Sequence, residues 1–139
     1  MYREDQYEEF SRRMHERFPK MFEGKYGGFA CSSGWWPMLE TLCATIQDHI
    51  DHSKGKCSQV IVEQIKEKFG TLRFYASGGD EFTDGAISFA ESLSNQMCEE
   101  CGAPGKRIGG GWIRTLCNFH LAEREALRAE EMRKSGLEE

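Results

Sequence analysis

No stretch of this 139-residue chain approaches the roughly 20 apolar residues that a bilayer-spanning helix needs. The opening MYREDQYEEFSRRMHERF is charged throughout and lacks the apolar core of a secretory signal. These absences predict a cytoplasmic protein with no membrane partner, and they change how the six cysteines are read. In a reducing compartment, cysteines in CxxC spacing hold metal more often than they form disulfides. Positive charge is also short: 18 Lys and Arg against 23 Asp and Glu leave a net charge of −5. That argues against broad attraction to phosphate backbones, which draws on clustered Lys and Arg. Enzyme signatures are missing too. There is no Walker-type phosphate loop, no GxSxG elbow and no HExxH, and the GGG at 109–111 does not follow the dinucleotide fingerprint. No internal repeat or low-complexity tract interrupts the chain.

The hydrophobic content of 39%, with three Trp and nine Phe, is that of a folded domain with bulky packing units. Residues 3 to 22 place Tyr7, Phe10, Met14, Phe18 and Met21 at spacings of three and four, which predicts an amphipathic helix disturbed or ended by Pro19. EGKYGGFACSSG then reads as a loop long enough to carry function. Ser33, Gly34 and Pro37 open a second helix, whose stripe of Leu39, Leu42, Cys43, Ile46 and Ile50 ends near His52. From Ser58 to Ala76, β-branched and aromatic residues broken at Phe69 and Gly70 predict a β-hairpin. A helix through VEQIKEKF is the competing reading. SGGDEFTDG supplies a turn and a cap for a third helix marked by Ile87, Ala90, Leu93, Ser94 and Met97. LAEREALRAEEMRK is a solvated fourth helix.

The strongest chemical pattern is Cys98-x2-Cys101, fifteen residues, then Cys117-x2-His120. Each short pair directs two donors at one point, and thiolate with imidazole suits a tetrahedral zinc ion. Gly102 allows the tight turn after the first pair, GKRIGGG reverses the chain, and the second pair opens the last helix, where the partial positive charge of the helix N-terminus favours a thiolate at Cys117. Four protein ligands predict a structural Zn2+ ion. Cys31, Cys43 and Cys57 then read as free thiols.

This order of knuckle, hairpin and helix resembles the treble-clef class of zinc finger over residues 97 to 134. The resemblance implies bound zinc without fixing a function. The order GWWPMLETLC, QIKEKFGTLRFY, AESLS, CEECGAPG and GGWIRTLCNFH is also similar to small proteins of tailed phages and prophages, which implies a host protein as partner and inhibition of a defence or housekeeping factor as role. The expected fold is α+β: a helical and β-hairpin core over residues 1–96, a zinc finger at 97–134 with the C-terminal helix packed on it, and a frayed tail at 135–139, all forming one globular unit.

Three functions compete on these grounds. A non-enzymatic interaction protein would engage a macromolecule through the loop at 23–35 or the zinc hairpin, with Trp35, Trp36, Lys106, Arg107 and Trp112 as candidate contacts. A nucleic-acid-binding finger would use a basic patch of Lys66, Lys68, Arg73, Lys106, Arg107 and Arg114, among which Glu63, Glu67, Glu99 and Glu100 are interspersed. A metal-dependent nuclease or hydrolase would use His49 and His52, which share a helical face at i, i+3 beside Asp48 and Asp51. The hairpin between Cys101 and Cys117 contains no His, Asp or Glu, which weighs against a treble-clef nuclease.

Overall fold

The computed structural model describes residues 2–136. The charged first helix, α1 (Glu4–Arg17), buries Phe10 and Met14, one turn apart on one face. It stops at Arg17 and does not run on to residue 22, because Pro19 disfavours helical backbone at the residue before it. Phe18 accordingly sits at φ −130° and ψ 56°. Phe18, Met21 and Phe22 are buried all the same.

The glycine-rich stretch that follows is only partly a loop. Phe29–Ala30 forms β1, a two-residue strand parallel to the middle of the sheet, with Phe29 opposite Ile65. Phe29, Cys31, Gly34 and Trp35 are all buried, so the second half of the expected exposed loop at 23–35 is anchored in the core, while residues 23–28 stay exposed or half-buried. A single 3-10 turn, Ser33–Trp35, leads into α2 (Trp36–Asp51), which has Pro37 in its first turn. α2 buries Trp36, Leu39, Leu42, Cys43 and Ile46.

Strands β2 (Ser58–Lys68) and β3 (Thr71–Gly79) pair antiparallel, and the sheet order is β1-β2-β3. The two residues joining them, Phe69 and Gly70, both have positive φ, 54° and 79°. That is the tight hairpin turn whose twist matches its flanking strands, and it decides for the hairpin over the helix. A register shift between Val62 and Gln64 moves the inward phase of β2 from Val60 and Val62 to Ile65. Asp80 then caps α3 (Glu81–Ser94), its carboxylate accepting from the Thr83 amide.

A second small sheet pairs β4 (Lys106–Ile108) with β5 (Arg114–Leu116), and α4 (Asn118–Lys134) closes the chain. No residue of α4 is buried. Its half-buried members, His120, Leu121 and Arg124, all lie in the first two turns, and beyond them the helix is solvated. The class is α+β, with Phe10, Phe29, Trp35, Leu39, Ile46 and Leu72 among the residues buried between helices and sheet. No helix among the described residues is long and apolar enough to cross a membrane.

Candidate metal centre

Cys98 lies just beyond α3 in a turn closed by two backbone hydrogen bonds, Gly102 N–H to Cys98 O and Cys98 N–H to Ala103 O, both 2.8 Å. Gly102 has φ +81°, and a Cβ there would stand 2.8 Å from Gly34 O. Conformation and space both demand glycine. Cys101 thereby turns back towards Cys98, and the β4–β5 hairpin returns the chain to Cys117. Cys117 is the N-cap of α4, and its sulfur accepts from the His120 amide at 3.5 Å. That backbone bond is the main force holding the Cys117 thiol down to about 6, which favours the thiolate that a metal ion needs.

The four donors converge. Cys101 Sγ is 3.8 Å from Cys117 Sγ, and His120 Nδ1 is 3.6 Å from Cys98 Sγ and 3.3 Å from Cys117 Sγ. All four ligand atoms lie within 4.8 Å of one another. A tetrahedral ion with bonds of about 2.3 Å to sulfur and 2.0–2.1 Å to nitrogen has edges of about 3.8 Å and 3.6 Å. Two of these separations match the edges and the Cys117–His120 one is about 0.3 Å shorter; the sulfur–sulfur distance is far too long for a disulfide, whose sulfurs sit about 2.05 Å apart. The group can therefore hold a metal ion.

The knuckle is stitched to the rest of the chain. Gly34 N–H donates to Glu99 O at 2.7 Å, and Trp35 Nε1 donates to Met97 O at 2.9 Å. Glu99 is buried, which pushes its carboxyl up, while the Thr115 amide at 2.7 Å and Arg114 Nε at 3.3 Å pull the other way. Thr115 in turn donates through Oγ1 to Gly70 O, 2.6 Å away in the β2–β3 turn.

The other candidate residues are scattered. Trp35 is fully buried, and Trp36 is 8% exposed with its ring stacked on Phe10 at 4.7 Å; neither offers a recognition surface, because both serve the core. Lys106 and Arg107 are exposed on β4, but Arg107 donates to Phe69 O at 2.8 Å. Arg114 is paired with Glu99 and Glu100, so the basic set is partly neutralised. Trp112 is 73% exposed at the hairpin tip, with Arg124 donating to its carbonyl. His49 and His52 do not share a site. His52 hydrogen bonds its own helix at Asp48 O, while His49 turns to Asp80 Oδ2, 2.7 Å away.

One feature escaped the sequence reading. Between α2 and α3 runs a groove of about 610 Å³ whose walls include Pro37, Met38, Ala86, Phe89, Leu93 and Met97, with Cys101 and Gly102 also lining it. Phe89 is 69% exposed there. The signal was present in the sequence as a second α3 stripe at 82, 86, 89, 93 and 97, beside the inward one. No protein family, curated protein or solved structure matches the chain.

Proposed function

We propose that this chain is a zinc-stapled, non-enzymatic interaction protein that docks an apolar helical segment of a partner protein in the groove between α2 and α3. One observation carries the reading: Phe89 stands two-thirds exposed on a wall of a mostly apolar groove. A helix that only covers a core needs one apolar stripe. α3 has a second, which includes exposed Phe82 and Phe89 and leads to Met97, and groove recognition by an amphipathic helix is read through such spacings.

Zinc is the ion that three cysteines and a histidine suit best, and four protein ligands leave no position for a substrate. The order of knuckle, hairpin and helix N-terminus supports a treble-clef assignment for the finger. Because Cys101 and Gly102 line the groove, the metal has a second consequence beyond folding, which is to set the shape of the docking surface. The likeness to small phage proteins supports a host protein as partner, inhibited by occlusion of the surface it presents.

Native mass spectrometry of the chain isolated from its cell extract tests this. The expected result is one zinc per finger and a stoichiometric partner protein that wild type retains and Phe89→Glu loses. Phe89 is exposed enough that this change leaves folding stability within about 0.5 kcal/mol. A partner kept by Phe89→Glu but lost by Trp112→Ala would move the interface to the zinc hairpin. Nucleic acid retained in place of protein, in a salt-sensitive way that charge reversal of Lys106 and Arg107 abolishes, would replace the reading altogether.

A further inference from the structure

His49 meets Cys57 and Asp80, and one ligand atom from each of these three side chains lies within 4.8 Å of the other two. We propose that they form a second metal site, distinct from the finger, that takes a zinc-type divalent ion on one thiolate, one imidazole and one carboxylate and leaves one coordination position to water or a small anion.

The three donors come from the last turn of α2, the segment before β2 and the N-cap of α3, so the fold alone assembles them. Sulfur, nitrogen and oxygen together suit a borderline-soft ion, and three protein ligands with one open position is the arrangement that reactive zinc sites use. His49 Nε2 and Asp80 Oδ2 are 2.7 Å apart. Two ligands of a tetrahedral ion with bonds near 2.0–2.1 Å stand about 3.3 Å apart, so metal entry opens this pair by roughly half an ångström and replaces its hydrogen bond.

Much of the surrounding support is in place. The Thr83 amide holds Asp80 Oδ1 at 3.1 Å, Ser53 Oγ holds the Cys57 amide at 3.1 Å, and Phe82 stacks on the His49 ring at 4.2 Å and 18°. Groups like these fix the orientation of first ligands and tune their basicity. The positive N-terminus of α3 opposes a cation, but Glu81 and Asp84 in its first turn and the negative end of α2 offset it. Cys57 is buried, while the His49 and Asp80 side chains are partly exposed, which places the sulfur at a dry base and the open position towards solvent.

A cysteine nucleophile is the other use of such a trio, and the geometry disfavours it. That chemistry needs the imidazole between thiol and carboxylate. Here the imidazole bonds Asp80 through Nε2 at 2.7 Å, while the Cys57 thiol donates to Ser58 O at 3.5 Å and not to the imidazole.

The test is a Co2+ titration of the full-length protein with its finger already loaded with zinc. One equivalent should bind with a sulfur-to-cobalt charge-transfer band, and Cys57→Ser and Asp80→Asn should each lose that equivalent while His52→Ala keeps it. Asparagine caps a helix about as well as aspartate, so loss in Asp80→Asn reports the ligand and not the fold. Absence of the band in wild type, or a band that survives both substitutions, overturns the site. The result is independent of the finger: a finger that takes no metal leaves the Cys57-dependent equivalent unchanged.

Discussion

At the scale of single residues, glycines divide by what an added Cβ would meet. At Gly34 it would lie 2.4 Å from both Cys98 O and Glu99 O, backbone atoms of the knuckle that cannot swing aside. Gly34→Ala must push the knuckle away from the start of α2, and overpacking of a rigid site costs about 1–3 kcal/mol. We expect a loss at the upper end of that range, together with weaker zinc retention. Gly85 lies inside α3 with nothing near it, so Gly85→Ala removes only backbone freedom and should stabilise by about 0.5–1 kcal/mol. Urea unfolding of both variants reads the opposite signs; equal effects would show that the Gly34 contact plays no part in stability. The adjacent tryptophans make a related point. Both are buried because they serve different partners, Trp35 through Met97 O and Trp36 through the Phe10 ring, and nothing local in the sequence specifies either one.

At the scale of elements, α1 is tied to α2 by charge as well as by its apolar face. Arg13 reaches both carboxylate oxygens of Glu40, and Arg17 Nη1 lies 2.6 Å from Oε2. The hydrogen bond from Arg13, backed by Arg17, holds the Glu40 carboxyl below its ordinary 4.5. A carboxyl lowered in the folded state contributes stability that is complete above 4.5 and fades as pH falls through the folded value. Both arginines are nearly half exposed, which limits the contribution to about 1 kcal/mol. Glu40→Gln should lose that much at pH 7 and progressively less as pH falls below 4.5; a loss that does not change with pH would assign it to packing instead of charge. The long elements were legible because each carries its own period or turn chemistry: α2 in its leucine and isoleucine stripe, the β2–β3 hairpin in its β-branched arms and Gly70. β1 was not, since two residues have no period and a parallel pairing with Ile65 is specified far away. The outer stripe of α3 was hidden because the single predicted stripe had absorbed Leu93 and Met97, whereas Leu93 is exposed and the buried face is Thr83, Ala90 and Ser94.

At the scale of the whole molecule, the finger ligands were legible because spacing alone brings each pair together, whereas the His49, Cys57 and Asp80 group depends on three elements meeting and left no local trace. What joins the finger to the core was equally invisible: Gly34 to Glu99, Trp35 to Met97, and Thr115 to Gly70. These bonds predict how the protein responds to losing zinc. Ligand assembly and folding are coupled in such sites, so a strong chelator should lower the thermal midpoint by about 10 °C or more, since several kcal/mol are lost and each shifts it by a few degrees. Chelation should also raise hydrogen exchange at the start of α2 and at the Phe69–Gly70 turn as well as within residues 97–134, because the same bonds that brace the knuckle close those segments. α4 beyond Arg124 should exchange quickly with or without metal, having no buried residue to protect it. Exchange that rises only within 97–134 would show that the finger folds on its own and that the groove does not depend on zinc. Exchange that spreads into α2 would make the metal ion part of the docking surface.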